Sequence, residues 1–287
     1  ICLIFLSLPL VNSFEIGFQK VWDDLSMKYT NYEIYVYGTF IQHLIQYWLV
    51  GGLLTIIFYF KTPSWLYQYK IQSVHSARPP LKKMLKLFAV VLFNQFAIGM
   101  PMTMIMYKLY DWRGCFAKPV PSIATFLTDL VIFVLIEEFL FFYSHWLMHT
   151  KYFYKPVHKL HHEWQESCAL VCIYAHPIEH IISNLFPVMI GPFVTGSHPF
   201  SMMAWYIIAL GSTLNSHSGF HFPFAPSPEE HDWHHAKFTE NFGVLQALDT
   251  WHATNLKFVK SIEKQRAGIL WSLEPLVHKD YLQSFSS

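Results

Sequence analysis

Five groups of histidines stand out by spacing: His145-x3-His149, His158-x2-His161-His162, His176-x3-His180, His217-x3-His221 and His231-x2-His234-His235. On a helix, positions i, i+3 and i+4 fall within an arc of about 100°, so each triplet turns three imidazoles to one side and each pair turns two. The chain holds 17 histidines in 287 residues, and 13 of them lie between His145 and His235. At that frequency one triplet arises by chance in about 6% of chains of this length and two in well under about 1%, so the repetition points to metal ligation. Neutral imidazole suits zinc, copper, iron and nickel, and residue type alone does not choose among them. A closed structural zinc takes about four ligands. The two triplets with the pairs His145/His149 and His217/His221 supply ten histidines, more than one such site uses, and two ions is the economical count. Two redox-active ions held by imidazoles can reduce O2 and oxidise an unactivated C–H bond, which side-chain acids and bases cannot do.

Carboxylates near these groups, Glu137, Glu138, Glu163, Glu166, Glu179, Asp232 and Asp249, are candidates to orient ligand rings through the second ring nitrogen. No nucleotide-binding glycine motif, flavin motif or Cys-x-x-Cys-His is visible, so electrons must come from a separate donor protein. The lone histidines His43, His75, His198, His252 and His278 read as structural or exposed. Cys168 and Cys172 read as small buried thiols, and with Cys2 and Cys115 they are too few and scattered for a disulfide framework.

Something must hold these side chains together. Ser227-Pro228-Glu229-Glu230 reads as an N-cap serine, a proline at the first helical position and a capping-box glutamate, starting a helix under His231, His234 and His235. Pro156 is expected to start another under His158, His161 and His162. Residues 36–60 form an uncharged apolar run about 37 Å long as a helix, and residues 87–107 a second of about 31 Å with Pro101 as an expected kink. Residues 122–142 are apolar but carry Asp129, Glu137 and Glu138, which must face protein or water rather than lipid. Residues 181–195 and 202–214 are short for full crossings and read as a helical hairpin or re-entrant pair around Gly196-Ser197-His198-Pro199. Residues 1–11 lack the basic region of a signal peptide and read as the tail of an upstream apolar segment.

Composition agrees. Hydrophobic residues are 53% and aromatic residues 18%, and mean hydropathy is +0.27. Charged residues are 14%, against about 25% in an ordinary soluble domain. A net charge of +1 offers no basic field for nucleic acid. Residues 61–86 hold Lys61, Lys70, Arg78, Lys82, Lys83 and Lys86 and no acid, which places that loop in the cytoplasm by the positive-inside rule. Counting crossings from there brings every histidine cluster to the same face.

The segments His145-Trp-Leu-Met-His149, His158-Lys-Leu-His161-His162 and His231-Asp-Trp-His234-His235 resemble the three histidine boxes of the fatty acid hydroxylase superfamily. Tyr174-Ala-His176-Pro-Ile-Glu179 and His217-Ser-Gly-Phe resemble its C4-methylsterol oxidase branch. The likeness runs from about Phe18 to about Leu256, and departs from the family near its end, where Ala253 stands at a common glycine position. The resemblance implies a dinuclear iron centre, O2, electrons from NAD(P)H through cytochrome b5 or its reductase, and a multi-pass place in the endoplasmic reticulum membrane with the clusters facing the cytosol. By position it implies His145, His149, His158, His161, His162, His231, His234 and His235 as metal ligands, with His217 and His221 as a further pair. His176 falls outside the boxes and takes a substrate-side or structural role.

The resulting expectation is an all-α integral membrane protein whose transmembrane helices carry a cytosolic, histidine-rich helical cap holding two metal ions. Residues 1–119 would form a membrane region with two spans and the basic loop, residues 120–260 the hydroxylase domain and residues 261–287 a tail. Its expected reaction is O2-dependent hydroxylation of a bilayer lipid, at a sterol C4 methyl by resemblance. A sphingolipid or alkyl-lipid hydroxylase or a desaturase is the alternative, since one oxidant serves all. A membrane metal transporter would set histidines along a pore, but only His43 lies in the first two spans.

Overall fold

The computed structural model describes residues 2–72 and 78–276. His75, His278 and the end of the expected tail lie outside them. Helices α1 (Cys2–Lys28), α2 (Glu33–Phe60), α3 (Leu81–Trp112), α4 (Ile123–Met148), α5 (Pro177–Thr195), α6 (Pro199–Ser218) and α7 (Glu229–Lys237) succeed one another, and no strand occurs among the described residues.

Three of these, α2, α3 and α5, are long and apolar enough to cross a membrane by length and composition. Along α2, the residues Ile41, Ile45, Leu49, Leu53, Ile56 and Phe60 form an exposed row. Steps of three and four residues keep such a row on one face, and a patch of this size is suited to lipid rather than water. Helix α4 shows how an apolar run tolerates three acids. Leu127, Val131, Leu135 and Phe139 form its exposed stripe, while Asp129, Phe133, Glu137, Glu138 and His145 are buried against the protein. The acids therefore avoid lipid, as their cost there requires.

The helix ends carry their own explanations. Pro177 and Pro199 each open a helix behind a histidine: His176 Nδ1 accepts from Ile178 N at 3.3 Å and His198 Nδ1 accepts from Phe200 N at 3.0 Å. These caps make α5 and α6 longer than the apolar runs alone, and Gly196 (φ +60) turns the chain between them as a helical hairpin. Pro101 and Pro187 each follow a wide π-turn, Asn94–Gly99 and His180–Leu185. Proline lacks the N–H and crowds the carbonyl four residues back, and a widened turn relieves both. Helices α4 and α5 approach closely because residue 191 is glycine: a Cβ there would lie 3.0 Å from Phe133 Cδ1. Among α2, α3, α5 and α6, Tyr35 hydroxyl meets that of Tyr206 at 3.1 Å, Tyr206 meets Tyr110 at 2.9 Å, and Tyr110 donates to Met189 O at 2.7 Å, so these buried hydroxyls are satisfied.

The C-terminal end of α6 and helix α7 meet the basic loop at one end of the bundle. Ile71 N donates to Gly219 O and His221 N to Tyr69 O, both at 2.9 Å, and Gln72 Nε2 donates to Asp232 Oδ1 at 2.6 Å. Gly219 (φ +67) stops α6, and a Cβ there would fall 2.1 Å from Lys70 Nζ. Lys70 is itself buried, donating to Ser167 O at 2.9 Å with its ammonium 5.1 Å from the Phe58 ring centroid. Burial lowers its pKa from 10.5 to about 8. Between these values the unfolded chain binds more protons, so stability must rise with pH. The stability of the protein relative to Lys70→Met is therefore expected to increase from pH 8 to pH 10.5 in thermal unfolding; a flat difference would show that the lysine is solvated.

Candidate metal centre

Nine of the ten histidines expected to bind metal converge in two groups. His145, His149, His158, His162 and His234 form one, and His161, His217, His231 and His235 the other; within each, the ligand nitrogens lie within 4.8 Å of one another. The groups are adjacent, with the His162 and His235 ring centroids 4.9 Å apart.

Each triplet is divided between the two groups. In α7, His231 and His235 serve one group and His234 the other, because positions i+3 and i+4 diverge by about 100° around a helix. The other triplet sits not on an α-helix but on a 3-10 turn, His158–Glu163, after Val157. There the His158 and His161 rings lie 5.7 Å apart at 28°, yet His158 joins His162 in one group and His161 falls in the other. Pro156 thus does not start an α-helix. The α7 start is displaced too: it begins at Glu229, and Ser227 Oγ accepts from Glu229 N at 3.2 Å.

His221 is the exception. Helix α6 ends at Ser218, so the i, i+4 relation to His217 does not form, and His221 belongs to neither group. His176 caps α5, and His180 meets Asn184 Nδ2 at 3.3 Å, so that pair lies apart as well. Of the lone histidines, His43 meets Gln95, His198 caps α6, and His252 stacks on Phe142 while meeting the Tyr143 hydroxyl at 2.9 Å. Cys168 and Cys172 are buried outside both groups.

Hydrogen bonding fixes which ring nitrogen is free. His145 Nδ1 donates to Phe242 O (2.8 Å), His161 to Tyr174 O (3.1 Å), His217 to Thr213 O (2.9 Å), His234 to Glu240 O (2.7 Å) and His235 to Trp164 O (3.0 Å). A carbonyl can only accept, so in these neutral rings Nε2 carries a lone pair. Yet the Nε2 atoms face each other: His161 and His217 at 3.4 Å, His217 and His231 at 2.8 Å, His158 and His149 at 2.7 Å. The His161–His217 contact sets lone pair against lone pair, which repels unless a cation lies between. Burial drives the His161 pKa down to about 4, and it also holds His158, His162, His231, His234 and His235 well below the usual imidazole value, with neighbouring histidines adding to the effect. Neutral, pre-aimed nitrogen donors fit a transition metal in each group.

Only one of the carboxylates singled out by sequence reaches a ligand ring directly: Glu179 Oε1 lies 2.9 Å from His158 Nδ1. Removing such a partner typically costs about 10–100-fold in metal affinity. Glu179→Gln is accordingly expected to weaken metal retention against a chelator by that factor without unfolding the chain; unchanged retention would remove Glu179 from the site.

Two other acids act through the backbone. Asp249 accepts from Phe242 N (2.8 Å), Gly243 N and Thr254 Oγ1 (both 2.7 Å), and Glu138 from Val244 N (2.8 Å), Leu245 N (2.7 Å) and Leu248 N (3.2 Å). They pin the loop whose Phe242 carbonyl orients His145. Asp232 instead binds Gln72 and Ser167, Glu163 pairs with Lys86 and Tyr174, and Glu166 makes no hydrogen bond to a ligand ring among the described residues.

Sequence reasoning passed over Glu240. Its carboxylate accepts from Lys257 N (2.9 Å) and Trp233 Nε1 (3.0 Å) while its carbonyl holds His234. No motif marks it, since any residue brings a carbonyl. Ala253 adopts φ 55, the left-handed region where a glycine costs least. Ala253→Gly is expected to raise stability by about 1 kcal/mol, seen as a higher midpoint of thermal unfolding; a lower one would show that the turn is not strained.

The model of the family described as fatty acid hydroxylase matches residues 130–254. The chain is 39% identical to fatty acid hydroxylase domain-containing protein 2 of Homo sapiens, over 90% of this chain and 78% of that one. It is 31% identical to methylsterol monooxygenase 2-1 of Arabidopsis thaliana, over 72% and 74% of the two chains. A very-long-chain aldehyde decarbonylase of Oryza sativa subsp. indica is 29% identical, over 76% and 82%. No solved structure matches the chain.

Proposed function

Because the chain belongs to the fatty acid hydroxylase family, we propose that it is a membrane-bound oxygenase whose two histidine groups hold two iron ions and which hydroxylates a C–H bond of a bilayer lipid. The observation that carries this reading is the convergence of nine buried histidines into two adjacent nitrogen-donor groups. Bound iron would supply O2 reduction and C–H oxidation. The overall change is C–H plus O2, two electrons and two protons giving C–OH and water. NAD(P)H would supply the electrons through cytochrome b5 or its reductase.

The chain's own residues supply positioning. Backbone carbonyls at Trp164, Tyr174, Thr213, Glu240 and Phe242 fix the ring tautomers, so little rearrangement is needed for binding metal. A cavity lined by His145, His161, His217 and His231 opens beside them. It abuts a second, more apolar cavity among α2, α3, α5 and α6 that suits a lipid body. The likeness to methylsterol monooxygenase 2-1 supports a sterol C4 methyl as the carbon attacked. The shared end of the bundle supports a cytosolic centre in the endoplasmic reticulum, where the basic loop and the histidines lie on one side.

Iron-loaded protein supplied with NADH, cytochrome b5 and its reductase tests the reading under labelled O2. A C4-methylsterol should yield its alcohol carrying one label atom. Label in a sphingolipid product instead would transfer the assignment to the alternative hydroxylase, and an unsaturated, unlabelled product would mean desaturation. No O2-dependent product from any lipid would defeat the proposal.

A further inference from the structure

Two neighbouring glutamates in α4 are used in opposite ways. Glu138 is consumed by the 244–248 loop, whereas Glu137, 9% exposed, makes no hydrogen bond or ion pair with any described residue. Glu137 lines both the histidine cavity and the inner apolar cavity, together with Phe141, Ser183, Asn184 and Thr213. It therefore stands where the two spaces join.

The inner cavity carries further unmet polar groups. Thr39 Oγ1, Gln42 Oε1 and Ser183 Oγ are buried without a partner among the described residues, and all three residues line it. The wide turns Asn94–Gly99 and His180–Leu185 bring Gln95, Ser183 and Asn184 to the same wall. Buried polar groups left without partners are costly, and a ligand that satisfies them gains accordingly. Among the described residues no lysine or arginine lines either cavity, while Glu137, Glu179 and Glu230 do. An anionic head such as a fatty acid carboxylate or a phosphate would find no counter-charge on the described walls.

We propose that Glu137 binds the hydroxyl of a neutral lipid alcohol whose apolar body fills the inner cavity, so that the carbon beside the hydroxyl faces the histidine cavity. This inference rests on the lipid hydroxylase reading and narrows its substrate class and regiochemistry. The hydroxyl donates to a Glu137 carboxyl oxygen, satisfying a buried polar group that no described residue meets. Thr39, Gln42 and Ser183 line the space around the lipid body and meet whatever further polar atoms it carries.

Binding tests it without turnover, using iron-loaded protein in lipid nanodiscs with no electron donor. The probes are a radiolabelled 3-hydroxy-4-methylsterol, its 3-deoxy counterpart and a saturated long-chain fatty acid. The alcohol should bind about tenfold tighter than the deoxy compound, as one hydrogen bond allows, and the acid weakest. Glu137→Leu should erase the preference for the alcohol while leaving deoxy binding unchanged, and Glu137→Gln, which keeps an acceptor, should restore most of it. Equal affinity of wild type for alcohol and deoxy compound, tighter binding of the acid, or a preference that survives Glu137→Leu would overturn the assignment. The wild-type comparison decides even where a variant fails to fold. Turnover without the preference defeats this inference alone, and the preference without turnover defeats only the oxygenase reading.

Discussion

Replacing His161 or His234 with alanine is expected to abolish lipid oxygenation and to lower bound iron, while His252→Ala leaves both close to wild type. The two substitutions strike different groups, His234 the five-nitrogen set and His161 the four-nitrogen set, so either one breaks the proposed two-ion centre. Each also frees a backbone carbonyl, at Glu240 or Tyr174, that the ring had satisfied. His252 is the matched control: it lies near the same end of α4, stacked on Phe142, but outside both groups. Equal activity in all three variants would refute the division of histidines into ligands and scaffold.

The second large effect is expected from Asp249→Ala, a residue that touches no ligand. Its carboxylate takes three donors, two from the backbone of Phe242 and Gly243 and one from Thr254. Stranding buried donors costs about 1–3 kcal/mol each, so a loss on the order of 3–5 kcal/mol is expected in unfolding. The same loop presents Phe242 O to His145, and iron retention should fall together with stability. A variant that keeps wild-type stability and iron would show that the loop is held by other means, such as Glu138.

Much of the candidate site was legible because the ligand is the side chain itself, and a side chain at fixed spacing is visible in a sequence. The acids of α4 were legible for a related reason: Asp129 and Glu137 interrupt an apolar run, and lipid leaves them nowhere to go but inward. What the residues did not reveal depends on backbone geometry. Spacing alone cannot distinguish the 3-10 turn at His158–Glu163 from an α-helix, nor show how each triplet divides between the two groups. His221 was misleading because i, i+4 means adjacency only while the helix lasts, and Gly219 ends it. The orienting groups were expected to be carboxylates and are mostly carbonyls, which every residue carries and no motif announces.

The most direct test of the two-iron centre is the iron content per chain after anaerobic reconstitution and removal of free metal, measured by elemental analysis against protein concentration. Two irons per chain is the expected result, one for each histidine group. One iron or none, or zinc retained in preference to iron, would contradict it.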